Sequence, residues 1–369
     1  MSTGRQTLPQ QFRRRSGLWT RDALSTLTSA EGRIDSALTE LTRRDHVLSG
    51  RRHSVLAALD LGTNNCRLLI ARPHEDTFRV IDAFSRIVRL GQGITSTGTL
   101  SLDAMDRALD ALKVCARKMR RRDVTLSRVV ATEACRRARN RNVFIERVKR
   151  ETGLELEIIS NREEAELALT GCMPLFNAGI PNAIVFDIGG GSTELAWIRR
   201  GKDGESFSLD VTSMPVGVVT LNEKYGGDRY DPETYQAMVG ECADCLEAFD
   251  TAHGIAERIR DGAVQMLGAS GTVTTLAGLR LDLQRYARNR VDGTVLDFSD
   301  VQRLARGLVE VNFEDRAAHP CIGRDRADLV VGGCAILEAI CQKWPVGSLR
   351  VADRGVREGI LLGLLERAR

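Results

Sequence analysis

No apolar run in this 369-residue chain is longer than a strand, and Asp, Gly or Arg breaks each one well short of the roughly 18 to 20 residues a membrane span needs. No transmembrane helix is expected. The opening residues, MSTGRQTLPQQFRRRSGLW, place arginines early with no continuous apolar stretch behind them, which argues against a secretory signal and for the cytoplasm. Nine cysteines, an odd number, lack the regular spacing of a small secreted domain and agree with a reducing compartment. Only Cys242 and Cys245 form a CxxC, and no second CxxC or histidine pair at zinc-finger spacing accompanies them. They read as thiols of one amphipathic helix rather than as metal ligands. A G-x-x-x-x-G-K-[ST] P-loop is missing, and so is a G-x-S-x-G elbow, since in LGASGT (267–272) Gly271 comes one position too soon. P-loop ATPase and serine-hydrolase readings lose their main support.

A strongly basic body is lacking too. The formal charge is +4, but residues 1–52 hold ten Arg against five acidic residues, leaving the rest near neutral. That distribution argues against a protein built to coat nucleic acid. In this leader Leu24, Leu27, Ile34, Leu38 and Leu41 recur at helical spacing, which predicts one amphipathic helix after a disordered start. From His53 the texture becomes compact α/β. Helices are predicted over 102–120, 141–152, 163–175, 232–259, 299–311, 327–342 and 356–369, and strand-like runs over 128–131, 156–159, 264–267 and 348–351. Their alternation predicts an α/β protein of two similar lobes, 53–181 and 182–369, with the last helix able to pack back on the first lobe.

Two segments resemble each other. In SVLAALDLGTNNCRLLIAR and NAIVFDIGGGSTELAWIRR an apolar run ends in an acid, Asp60 or Asp187, then a short Gly/Ser/Thr/Asn loop leads into a second apolar run. Each reads as a β-hairpin with an acid at its turn. The second loop is the more informative. Gly189, Gly190 and Gly191 cost backbone entropy, and a strand end tolerates them where something approaches the backbone closely or φ turns positive. A plain hairpin needs only one or two glycines. Phosphate meets the requirement, with amide N–H groups forming an anion nest and Ser192 and Thr193 adding hydroxyls. Asp187 is suited to hold a magnesium ion through water or to orient an attacking water. Ser270 and Gly271 open a helix whose N-terminus favours anions. Arg136, Arg137, Arg139 and Arg141 follow a strand and could fork phosphate oxygens or form a solvated face. In SNREEAELAL, Asn161 and Glu164 have capping-box spacing, while one of Glu163 and Glu164 could point into a cleft as general base.

These motifs, with VRLGQGI, ATEACRRARN, MPVGVVTL, LGASGTVTTLAG, RNRVDG and DRGVREGIL, resemble the exopolyphosphatase and guanosine pentaphosphate phosphohydrolase family from about Val55 to the C-terminus. The resemblance implies two ribonuclease-H-like lobes of the actin, sugar-kinase and heat-shock-chaperone ATPase superfamily, with the active site in the cleft between them. It places the catalytic glutamate on Glu164 and the phosphate-binding arginine on Arg136. The glycine-rich loop falls on Asp187 to Glu194, with Asp187 and Glu194 among the catalytic residues. Asp60 and Asn64 match the first loop, and Gly217 and Ser270 match further phosphate-side positions. Mg²⁺ dependence is implied, with Asp60 and Asp187 as its ligands. Longer relatives continue into a helical C-terminal region, so this chain is expected to resemble the short members.

The resulting expectation is an exopolyphosphatase that releases orthophosphate from the end of inorganic polyphosphate by in-line attack of water. Guanosine pentaphosphate is the alternative substrate. An actin-like sugar or acid kinase, or a non-catalytic polyphosphate or nucleotide sensor signalling through the leader, are the competing classes. No nucleic-acid or membrane partner is expected, and a homodimer stays open.

Overall fold

The computed structural model of the chain describes residues 54–200, 207–226, 229–262 and 264–368. The leader helix predicted within 1–52 lies outside the described residues.

Two sheets are built on one plan. In the first, β1 (Leu56–Leu61), β2 (Asn65–His74) and β3 (Thr77–Ile87) form an antiparallel meander. β4 (Leu126–Ala131) and β5 (Glu157–Ile158) then add in parallel, giving the order β3-β2-β1-β4-β5. In the second, β6 (Asn182–Ile188), β7 (Thr193–Arg200) and β8 (Phe207–Met214) repeat the meander. β9 (Val264–Ser270) lies parallel to β6, and β11 (Ser348–Ala352) lies parallel to β9. β10 (Val295–Asp297) closes the far edge antiparallel to β11. The central strands β1 and β6 are covered on both faces, which is why LAALD and NAIVFDI are nearly continuous apolar runs. The chain therefore has the two-lobed actin-like fold.

Ten helices carry the argument: α1 (Leu102–Arg121), α2 (Glu133–Arg137), α3 (Arg141–Thr152), α4 (Asn161–Cys172), α5 (Val218–Tyr225), α6 (Pro232–His253), α7 (Gly271–Arg280), α8 (Phe298–Glu310), α9 (Val330–Lys343) and α10 (Val356–Arg367). The single helix predicted over 232–259 is broken at Gly254, whose φ of 60° ends α6 and restarts a short helix at Ile255. α1 and α3 bury Met105, Leu109, Leu112, Phe144 and Val148 against one face of the first sheet. α6 and α9 bury Met238, Leu246, Ile336 and Leu337 with Trp197 of β7 in the second lobe.

Between the sheets lie α4 and α10. α10 packs Ile360, Leu361 and Leu364 on Leu56, Ala58 and Leu69 of the first sheet. α4 packs Leu169 and Cys172 on Ala183, Val185 and Ile198 of the second. The two helices touch backbone to backbone: a Cβ on Gly359 would overlap the Leu167 carbonyl, and one on Gly171 would overlap that of Gly355. This contact fixes the height of α4, and with it the position of Glu164.

Candidate active site

The two hairpins share one register. Asp60 faces Arg67 and Leu61 faces Cys66 in the first, while Asp187 faces Glu194 and Ile188 faces Thr193 in the second. Both acids end a central strand beside a parallel neighbour, Asp60 next to Val130 and Asp187 next to Ala269. Between the lobes the hairpin loops meet in a cleft of about 980 Å³, measured with the solvent at its mouth. Asp60, Asn64, Glu164, Asp187, Gly189 to Gly191, Ser192, Glu194 and Ser270 all line it.

The glycines serve close approach. None of the three in the loop has positive φ. A Cβ on Gly190 would stand 3.0 Å from Cβ of Thr63, and one on Gly191 would stand 2.8 Å from Thr63 Oγ1 and 3.1 Å from Cγ of Glu133. Of the two sequence-level explanations for the triple glycine, the structure selects tight contact with the first hairpin.

Several expectations need correction. Thr193 is fully buried and donates its hydroxyl to the Val216 carbonyl at 2.8 Å, so it has no hydrogen for phosphate. Ser192 lines the cleft but donates its hydroxyl to Glu194 Oε1 at 2.7 Å. Gly217 lies behind the loop, where a Cβ would come within 2.5 Å of Gly190, and its N–H donates to Thr220 Oγ1 at 2.8 Å. It buttresses the loop instead of binding phosphate. The arginine cluster disperses: Arg139 donates to the Thr97 carbonyl, Arg141 to that of Arg136, and Arg137 lines a different groove. Arg136 does not present an open fork. It donates to Glu164 Oε2 at 2.7 Å, to the Ile159 carbonyl at 3.0 Å and to Glu133 Oε2 at 3.1 Å, with Glu194 Oε1 4.0 Å away. The cap of α4 is Ser160, which accepts from Glu163 N–H; Asn161 is already helical.

That cap orients the two glutamates differently. Glu163 turns to Arg128 and Glu164 turns into the cleft. The carboxyl of Glu164 is pushed well above the usual range by burial and by the charge of Glu194, with Arg136 opposing. Its Oε1 makes no hydrogen bond among the described residues, so one oxygen is held and the other is free. Burial raises Asp187 to about 7, helped by Glu194 and resisted by Arg67. Burial also raises Asp60, with Arg67 and Arg357 opposing. Glu194 is raised by burial, against hydrogen bonds from Ser192 and Ser213 and the charge of Arg136. Ser270 caps α7 by accepting from Val273 N–H, which leaves its own hydrogen available. Asn64 is buried with Oδ1 unpartnered among the described residues.

Sequence reasoning missed Arg67, Glu133 and Arg326, which also line the cleft. The side chains of Arg67 and Arg326 make no hydrogen bond or ion pair among the described residues. Arg67 was recoverable, because a hairpin turning over 62–65 must set residue 67 opposite residue 60. Arg326 sits in a loop before α9 with no local signal. Five carboxylates, those of Asp60, Glu133, Glu164, Asp187 and Glu194, outnumber the four guanidiniums of Arg67, Arg136, Arg326 and Arg357 in and around the cleft. Among the described residues no three His, Cys, Asp or Glu are grouped to chelate a metal alone. The paired Asp60 and Asp187 instead fit a hard cation that takes its remaining oxygens from water and a phosphate ligand.

Solved structures share this architecture. An exopolyphosphatase from Cytophaga hutchinsonii superimposes with a TM-score of 0.76 at 25% identity, over 86% of this chain and 99% of its own. The PPX-GPPA enzyme of Aquifex aeolicus gives 0.69 at 29% identity, over 84% and 99%. An exopolyphosphatase-like protein gives 0.77 at 27% identity, over 85% and 98%. The model of the Ppx/GppA phosphatase family matches residues 69–368, and with the two acid-tipped hairpins meeting in one cleft the chain belongs to that family.

Proposed function

We propose that the protein is an exopolyphosphatase that removes the terminal orthophosphate of inorganic polyphosphate. The observation that carries this reading is the cleft's pairing of unengaged donors with one half-free buried carboxylate. Arg67 and Arg326, from opposite lobes, and the amides of Gly190 and Gly191 hold the end phosphates by their charge and fixed direction, while the Gly189 N–H is already taken by the Ser192 carbonyl at 2.9 Å. Such donors suit a ligand that presents the same anion at every register. In its ionised form Glu164, held through Oε2 by Arg136, takes a proton from water on Oε1 as the water oxygen attacks the terminal phosphorus in line and the opposite bridging P–O bond breaks, its oxygen leaving on the shortened polyphosphate. Its raised pKa makes it a stronger base than an ordinary carboxylate. Mg²⁺ bound at Asp60 and Asp187 would supply neutralisation of the phosphate charge. Glu194, fixed by Ser192 and Ser213, holds the loop beside Arg136 and adds to the field that keeps Glu164 basic.

The test is release of orthophosphate from long-chain polyphosphate with and without Mg²⁺, for the parent and Glu164→Gln. The substitution is expected to lower the rate on the order of 10² to 10⁴-fold. Equal rates remove Glu164 from the mechanism. Guanosine pentaphosphate, which ends in the same anhydride, is run in competition, and faster turnover of the nucleotide would reassign the substrate. Tight binding of both without turnover would make the protein a sensor.

A further inference from the structure

Arg136 matches the position of a phosphate-binding arginine, yet its Nε and Nη1 donors are already engaged. Glu133, three residues earlier on α2, accepts from Arg136 Nε at 3.1 Å, and the same oxygen, Oε2, stands 3.0 Å from Nη2. Nε and Nη2 form the edge that grips phosphate or carboxylate with two parallel bonds. Here the Oε2 contact with Nη2 is close but not aligned as a hydrogen bond. The buried Nη2 accordingly has no well-aligned acceptor, and Glu194 Oε1 at 4.0 Å is too far to serve. The ion pair is also not an ordinary surface rung of a helix, since the two side chains are only 14% and 13% exposed. Glu133 lines the cleft and packs against the glycine loop, with its Cγ 3.1 Å from where a Cβ of Gly191 would lie. Glu133 thus touches both the arginine and the glycine loop.

We infer that Glu133 is a resident anion on Arg136 that an incoming phosphate group displaces, so that Glu133 sets the affinity of the cleft for phosphates. The inference rests on the proposed phosphatase site. A phosphate oxygen pair can meet Nε and Nη2 together, which the single Glu133 oxygen does not. When the phosphate leaves, Glu133 returns to the guanidinium and keeps it from holding product. An anion engaging several cleft donors at once offsets the cost of displacing Glu133. A lone orthophosphate has fewer such contacts and is released more readily.

Calorimetric binding of imidodiphosphate, whose bridging nitrogen resists hydrolysis, tests this without turnover. Glu133→Gln is expected to bind about tenfold more tightly than the parent, the worth of about one charge-assisted hydrogen bond. Glu133→Asp keeps the charge but is a methylene short of Nε, and the same direction of change is expected, which covers misfolding of the Gln variant. In an Arg136→Gln background the Glu133 substitutions are expected to have no effect. Unchanged or weaker binding in both Glu133 variants, or tightening that persists without Arg136, overturns the inference. Phosphate release by the parent is measured beside it. A parent that hydrolyses polyphosphate while Glu133→Gln binds no tighter rejects only the inference. A parent that hydrolyses nothing while the Arg136-dependent tightening appears rejects only the proposed function.

Discussion

Asp187 is a carboxyl that the fold holds at a cost. Burial lifts it to about 7, so the folded chain binds its proton more tightly than the unfolded chain does. The stabilisation linked to that proton is complete below about pH 4 and is lost as pH rises through about 7. Asp187→Asn is therefore expected to be more stable than the parent at pH 8, by up to about 4 kcal/mol, with the difference vanishing near pH 4. Denaturant unfolding at the two pH values, in chelator, measures it. No gain at pH 8 would mean that Arg67 and Arg357 already neutralise the ionised group. Of the residues singled out from sequence, Asp60, Asn64, Glu164, Asp187, Ser192 and Glu194 line the cleft, whereas Thr193 and Gly217 do not. Ser192 and Thr193 are hydroxyl donors in composition, but Glu194 and the Val216 carbonyl take their hydrogens. Glu194 lies within the same motif, two residues from Ser192, whereas Val216 comes from the turn after β8, a distance along the chain that a motif does not span.

Among the elements, the acid-tipped hairpins were legible because an apolar run, a Gly-rich turn and a second apolar run are local features. The third strand of each meander was not read. β3 is an edge strand with alternating exposed charges, TFRVIDAFSRI, and carries little apolar signal. The crossing of α4 and α10 had no signal either, since Gly171 and Gly359 look like ordinary weak points of a helix. Gly359→Ala is expected to push α10 away from the Leu167 carbonyl and lower stability by about 1 to 3 kcal/mol, as overpacking does. Because α4 carries Glu164, activity at a temperature where the variant is fully folded should fall as well. A variant with parental unfolding midpoint and turnover would show that the contact relaxes freely.

At the scale of the molecule, two of the polar contacts among the described residues tie the lobes across the cleft outside the site. Arg89, held at a φ of 46°, pairs with Asp328 at 3.0 Å, and Gly93 N–H donates to Glu223 Oε1 at 2.7 Å. With Gly190 and Gly191 against Thr63, they hold the hairpin loops together. Replacing Arg89 and Glu223 by Ala together is expected to open the lobes, read as a larger radius of gyration by solution scattering, and to raise KM for an anionic substrate. The parent should move the same way with rising salt, because both contacts are partly exposed and screened. Scattering identical for parent and double variant would show that α4 and α10 alone set the lobe angle.

Local pattern determined that this chain is α/β, that it carries a repeated acid-tipped hairpin, and that the second copy has a loop shaped for close approach. Those features depend on residues within about ten positions of one another, and side-chain period and turn chemistry act at that range. Tertiary structure alone decided which oxygen of Glu164 is free and that Arg326 joins Arg67 in one cleft. The joining of Arg326 to Arg67 depends on where the second lobe closes on the first, a distance set by backbone contact between helices nearly two hundred residues apart.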